Sequence, residues 1–312
     1  MSFEDLNSLG KKREPFLFIC DFKALHVEVF PLNSLELNDI EFMIEEEYKT
    51  KLHVTSLDKQ AIDFKEYKKK FDYVQDKIKS GDTYLLNLTA PTPVKTSCTL
   101  KEIFSKANAH YKLRYKDEFV CFSPEKFIQI QDNKINTYPM KGTIDASIEN
   151  AKEKILEDKK EMAEHIMVVD LLRNYLSIVS KEVRVETFRY ITEIEAGDKK
   201  LLHVSSHISG QLEDTWHENI GNILKSLLPA GSISGAPKKS TLDIIDEIEN
   251  YERGYFSGVF GVYDGDTLDS GVMIRFIQKT KDGYIYKSGG GITLDSDAKL
   301  EYNELLDKVY LP

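Results

Sequence analysis

The chain has little cysteine, no long apolar run and no excess of positive charge, and each shortage removes a class of function. Its three cysteines, Cys20, Cys98 and Cys121, are odd in number, far apart and outside any Cys-x-x-Cys or Cys/His metal spacing. A disulfide framework or zinc module is therefore not expected, and reduced thiols in a cytoplasmic protein are. Residues 1–15 carry charges and no signal-like apolar stretch, and Phe16–Cys20 is far too short to span a bilayer. Lysine and arginine number 42 against 52 acidic residues, a net charge of −10. Such a balance gives no general attraction for nucleic acid or anionic lipid, although a local basic pocket remains open. Internal repeats, low-complexity linkers and a Walker-type Gly-Lys-Ser/Thr sequence are also missing.

What is there reads as a globular protein. Of 312 residues, 41% are hydrophobic and 30% charged. Length alone suggests about two domains. Phe16–Cys20 and His26–Phe30 form an expected hairpin. Phe64–Lys79 is amphipathic and stops at Ser80-Gly81, a helix-end signal. Asp82–Val94 is expected to be extended and Thr99–Tyr111 helical. Glu118–Tyr138 has a strand–turn–strand pattern around Asp132-Asn133-Lys134. Ser147–Ser180 is helical in pattern, without Gly or Pro. Lys200–Leu212 is strand-like, and Trp216–Leu227, Lys239–Tyr251 and Asp295–Tyr310 are helical. Ser257–Lys287 should hold two or three strands. Strands come in consecutive pairs, so the fold class is α+β with antiparallel sheet.

Four local features could carry chemistry. Glu161 and Glu164, and likewise Glu301 and Glu304, stand three apart on expected helices, so each couple shares a face. Four converging carboxylates would repel unless a hard cation such as Mg²⁺ lay among them; two solvated helix faces would show the same spacing. Gly289-Gly290-Gly291 could bring backbone N–H groups to an anion, or form a plain turn. Pro229–Lys238 is a rigid loop of small residues whose hydroxyls suit a ligand, or a turn with Ser234 as a cap. Glu125 in Ser123-Pro124-Glu125 and Lys141 in Pro139-Met140-Lys141-Gly142-Thr143 could be acid and nucleophile, or simply exposed.

Together these motifs resemble the chorismate-utilising enzymes. The similarity runs from Phe64 to Lys308. It includes Gly81-Asp82-Thr83-Tyr84 with Asn87-Leu88, Glu161-Met162-Ala163-Glu164-His165 and Ser206-His207-Ile208-Ser209-Gly210. Arg253-Gly254, Ile274-Arg275 and Glu301-Tyr302-Asn303-Glu304 follow in order. The Pro-x-Lys-Gly-Thr form is similar to the aminodeoxychorismate synthase branch, whereas the anthranilate synthase branch has alanine for the lysine.

The resemblance implies antiparallel sheets forming a sandwich surrounded by helices. It implies one catalytic domain over residues 1–312, with a reduced N-terminal region, 1–60, packed on it. Lys141 and Glu125 would be catalytic, with Lys141 attacking C2 of chorismate while Glu125 protonates the departing C4 hydroxyl. Glu164 and Glu304 would bind Mg²⁺, with Glu161 and Glu301 behind them. Arg275, Lys308, His203, Ser234, Thr143, Gly290 and Gly291 would form the substrate environment. Ammonia would come from a separate glutaminase subunit, because no cysteine has a Gly-x-Cys-x-Gly setting. A downstream lyase would release p-aminobenzoate for folate synthesis. Leu85 replaces a residue that is a water-activating lysine in isochorismate synthases, which argues against water as nucleophile. Phe256 replaces a usual tyrosine, leaving Tyr255 as the one neighbour that could supply the missing hydroxyl. An anthranilate synthase component I and a non-catalytic chorismate-binding paralogue are the alternatives.

Overall fold

Five consecutive apolar residues, Phe16–Cys20, need cover on both faces of a strand, and the fold supplies it. In the computed structural model, which describes residues 2–44, 57–196 and 199–311, all five are fully buried. Phe16, Phe18 and Cys20 enter a core shared with helix residues such as Ile220 and Leu224. Leu17 and Ile19 enter a second core with Leu113, Phe119 and Phe276 of the other sheet. Burial of each large apolar side chain contributes about 1.5–3 kcal/mol. Val27–Pro31 returns antiparallel, Phe16 opposite Pro31 and Cys20 opposite Val27. The expected hairpin is present.

One sheet runs in the order Met140–Asp145, Lys199–Gln211, Lys134–Thr137, Lys126–Gln131, Leu268–Val272, Val259–Tyr263, Phe16–Cys20, Val27–Pro31; Lys181–Ala196 also pairs with Lys199–Gln211. The other runs Gly235–Ala236, Leu85–Lys95, Gly283–Ile292, Phe276–Thr280, Phe119–Ser123, Tyr111–Tyr115, Ile40–Ile44. All pairings among the described strands are antiparallel. The chain crosses between the sheets twice at one place. Ser123-Pro124-Glu125 links Phe119–Ser123 to Lys126–Gln131, and Met273-Ile274-Arg275 links Leu268–Val272 to Phe276–Thr280. The Val272 N–H donates to the Glu125 carbonyl at 3.1 Å, which ties the two crossings together. That tie brings Glu125 and Arg275 into one neighbourhood.

Several elements differ from expectation, each for a local reason. The Ser147–Ser180 pattern is two helices, Ala151–Glu157 and Lys159–Val179. Asp158 leaves helical geometry (φ −63°, ψ 114°) and its carboxylate accepts the Glu161 N–H, so a capping side chain interrupts the apolar period. Thr99 does cap a helix, but that helix spans only Leu100–Lys106, and Tyr111 opens a strand. Lys181–Ala196 is a strand for which no element was expected. Ser257–Lys287 lies across four strands, the last continuing to Ile292. Near the N-terminus, Phe3–Lys11 crosses Ile220–Leu227 closely. A methyl on Gly10 would lie 2.0 Å from the His217 carbonyl oxygen, and one on Gly221 1.8 Å from that of Phe3.

Candidate active site

Glu125 sits at the first sheet crossing, where the Ser123 hydroxyl accepts its N–H at 3.0 Å. Its Oε1 accepts the Ser232 hydroxyl at 2.5 Å. Burial pushes the carboxyl above the usual range, against the opposing pull of Ser232, Lys141, Lys308 and Arg275. Those cations come from a strand, a helix end and the second crossing, so residues 125–308 converge.

Lys141 lies on Met140–Asp145, where the register against Lys199–Gln211 shifts between Met140 and Thr143. Gly142 takes φ 91° in that irregularity, a conformation open to glycine, and such bulges re-aim neighbouring side chains. The result sets Lys141 against the glycine strand. A methyl on Gly291 would lie 3.3 Å from Lys141 Nζ and 3.1 Å from Leu85 Cδ1; one on Gly142 would lie 3.3 Å from Glu161 Oε2. Glycine is thus what lets backbone, lysine and carboxylate share this space.

Lys308 donates to the Gly289 carbonyl at 2.9 Å and pairs with Glu304 at 2.6 Å. Burial lowers its ammonium pKa, with Arg275 and Lys141 acting the same way against the raising effect of Glu304. Arg275 holds its guanidinium over the Tyr310 ring at 5.3 Å, and its buried Nε has no hydrogen-bond partner among the described residues. Two cations with unspent hydrogen-bonding capacity suit an anionic ligand. His203 Nδ1 is 3.4 Å from the Thr143 hydroxyl. Burial, then the Arg275 charge, pushes the imidazole down to about 4, so it is neutral at pH 7.

The carboxylate couples come from two helices, Lys159–Val179 and Ala298–Asp307, near enough for the Glu164 charge to act on Glu301. Burial raises Glu161, and Glu164 adds to the rise. Burial likewise raises Glu301, with Glu304 and Glu164 adding to it against a hydrogen bond from Ser296. Glu304 is held low: burial opposes this, but its Lys308 partner outweighs burial. The long helix is pinned by His165, whose Nε2 lies 2.7 Å from the Ser206 hydroxyl, which fixes the turn carrying Glu161 and Glu164.

Residues 30–311 match the family described as chorismate binding enzyme. The chain belongs to that family. It is 46% identical, over 99% of its own length and 95% of the other's, to the Haemophilus influenzae protein named "Uncharacterized PabA-like protein". It is 32% identical to aminodeoxychorismate synthase component 1 of Salmonella typhimurium over 78% of this chain and 56% of that one. The chain therefore spans little more than half of that relative. Among solved structures, a putative 2,3-dihydroxybenzoate-specific isochorismate synthase, DhbC, from Bacillus anthracis matches with TM-score 0.71 at 18% identity, covering 98% and 87% of the two chains. The fold is shared with that enzyme.

For a chorismate-binding enzyme, the four glutamates offer hard oxygen donors whose mutual repulsion is relieved by a cation. Among the described residues no three acidic, histidine or cysteine side chains stand close enough to form a cage alone. Mg²⁺ held here would rest on one or two carboxylates, with water and ligand oxygens completing the shell. Among the described residues no helix is long and apolar enough to cross a membrane.

Three site details differ from the sequence reading. Ser234 is fully buried and donates to the Ala230 carbonyl at 2.8 Å, within the short turn Gly231–Ser234; it does not cap the next helix, whose N-cap is Pro237. Ser232 is the loop hydroxyl that reaches Glu125, and two small serines in one loop give no sequence signal for choosing between them. Tyr255 does not replace the missing tyrosine hydroxyl: it donates to Glu28, and Phe256 packs in the inter-sheet core against Phe276. Asn87 stands opposite Gly291 and shares its strand face with Leu85; its buried Oδ1 has no partner among the described residues.

Proposed function

We propose that this chain converts chorismate and ammonia to 4-amino-4-deoxychorismate, as component I of an aminodeoxychorismate synthase. The observation that carries the reading is Lys141 Nζ set against Gly291 and Leu85, with Glu125 among the surrounding cations. Lys141 adds to C2, both ring double bonds shift, and the C4–O bond breaks. Glu125, its carboxyl raised by burial, gives the proton with which that oxygen leaves as water. Ammonia then adds at C4, both double bonds return, the C2–N bond breaks, and Glu125 recovers a proton from the new ammonium. The lysine emerges unchanged. The apolar Leu85 side chain at this point offers no group to activate water.

Arg275 and Lys308 hold the carboxylates of the dianion, and the neutral His203 with Thr143 lies beside them. Glu164 and Glu304, supported by Glu161 and Glu301, would hold Mg²⁺, which on the ring carboxylate supplies Lewis-acid withdrawal from C2. Ammonia is supplied by a separate glutaminase subunit. In keeping with that division, Cys20 and Cys121 are fully buried, with thiols pushed up mainly by burial, unlike nucleophilic cysteines. A lyase acting next would yield p-aminobenzoate for folate synthesis.

Product analysis with chorismate, Mg²⁺ and ammonium tests the reading. Aminodeoxychorismate is expected from the wild type and none from Lys141→Ala. Anthranilate from the wild type, with no lyase added, would replace this function by that of an anthranilate synthase.

A further inference from the structure

Next to the site lies a buried ion pair that the reaction scheme leaves unused. Arg253 Nε and Nη2 donate to the two Glu249 oxygens at 2.7 and 2.6 Å, with the side chains only 3% and 2% exposed. The guanidinium face lies 4.4 Å from the Phe22 ring centroid. Its remaining N–H capacity goes to backbone: Nη1 to the Ile233 carbonyl at 3.1 Å and Nη2 to the Asn87 carbonyl at 2.7 Å. Glu249 Oε1 also accepts the N–H and hydroxyl of Thr89 at 2.8 and 2.7 Å. The Arg253 carbonyl accepts Lys287 Nζ at 2.8 Å.

Each anchored group adjoins a wall of the site. Ile233 follows Ser232, which holds Glu125. Asn87 is opposite Gly291, against which Lys141 lies, and Lys287 belongs to the same strand as Gly289 to Gly291. A planar guanidinium can hold a carboxylate and two carbonyls in fixed directions at once, whereas an ammonium is a single point donor. Buried ion pairs contribute little net stability, so a role in geometry accounts better for this one.

We propose that Arg253, fixed by Glu249, is a positioning residue that ties the Ser232 loop to the strands beside Lys141 and so sets the acid and the nucleophile relative to each other. This rests on the reading of Glu125 as the acid. Glu125 faces Lys141, Lys308 and Arg275, besides Ser232, and adjoins Lys126, which is paired with Asp269. The Ser232 hydrogen bond favours its carboxylate. A loop that loosens loses that bond, and Glu125 then keeps its proton to higher pH.

The test is kcat and KM against pH for the wild type, Ser232→Ala, Arg253→Lys and the double variant, with thermal melts to confirm folding. The basic limb of kcat should move upward in Ser232→Ala. Arg253→Lys should move it the same way, with kcat at the optimum down about 10-fold or more and KM little changed. The double variant should move it no further than Ser232→Ala. A folded Arg253→Lys enzyme with the limb at its wild-type position would overturn the proposal. An unmoved limb in Ser232→Ala would instead remove Glu125 as the acid, and the proposal with it. Glu249→Gln, which loosens the same clamp, carries the same expectation if Arg253→Lys does not fold.

Discussion

A buried charged cluster and a half-buried one adjoin one another in this protein, and they are built in opposite ways. Around Arg253 and Glu249 the charges neutralise each other, and the fork and carboxylate spend their hydrogen bonds on segments distant in sequence. Around Glu125, Lys141, Arg275 and Lys308 three cations crowd a carboxyl held above its usual pKa, and the buried Arg275 Nε and Asn87 Oδ1 are left without partners among the described residues. The closed cluster is a part of the scaffold. The open one keeps buried polar groups without partners among the described residues, a feature expected to mark function.

Breaking each cluster should therefore have opposite signatures. The largest stability loss is expected from Arg253→Ala, which strands the Glu249 carboxylate; urea unfolding should show a loss of about 3–5 kcal/mol. Stability within about 1 kcal/mol of wild type would mean that the pair is better hydrated than its burial indicates. Glu125→Gln should do the reverse: kcat falls by about 100- to 10,000-fold while the melting curve barely moves. An activity within tenfold of wild type would take the acid role from Glu125. Asn87→Ala sharpens the contrast further. Removing an unpaired buried acceptor should leave stability unchanged or raise it by about 1 kcal/mol, while chorismate affinity falls in a calorimetric titration. A stability loss instead would show that Asn87 belongs to the scaffold.

Much of the candidate site could be proposed before the fold, because family motifs in register name Glu125, Lys141, the two glutamate couples, Arg275 and Lys308 as candidates. Their meeting point was not. It depends on two chain crossings between sheets, each a few residues long and without periodicity. The Asp158 break was readable in Asp158-Lys159-Lys160-Glu161, an acidic cap followed by Glu at the third position; an apolar period running through it hid the signal. The strand Lys181–Ala196 escaped because irregularities near Arg184, Thr187 and Tyr190 shift its register and spoil the alternation that marks a strand. The Arg253 clamp was unreadable for another reason: beyond Glu249, four residues before it, its acceptors are the backbone carbonyls of Ile233 and Asn87, which carry no sequence signature.

The smallest expected effect compares histidines inside and outside the site. Burial, as the leading cause, lowers His203 beside Arg275, and also His217 under Tyr263, each to about 4. A histidine lowered on folding contributes stability that is complete above its unfolded pKa, about 6.5. That contribution is lost as pH falls towards 4, because the unfolded chain binds more protons there. Denaturant midpoints should therefore decline between pH 6.5 and 4, and His217→Asn should flatten that slope without changing kcat at pH 7. An equal slope in the variant would place the linkage elsewhere.

The central claim is that Lys141 bonds to the substrate. Intact-protein and peptide mass spectra of the enzyme mixed with chorismate and Mg²⁺, without ammonia, test it most directly. The expected result is an adduct of chorismate less one water, confined to the Lys141 peptide and discharged on adding ammonium. Rapid turnover of Lys141→Ala to aminodeoxychorismate, with no adduct in the wild type, would contradict it.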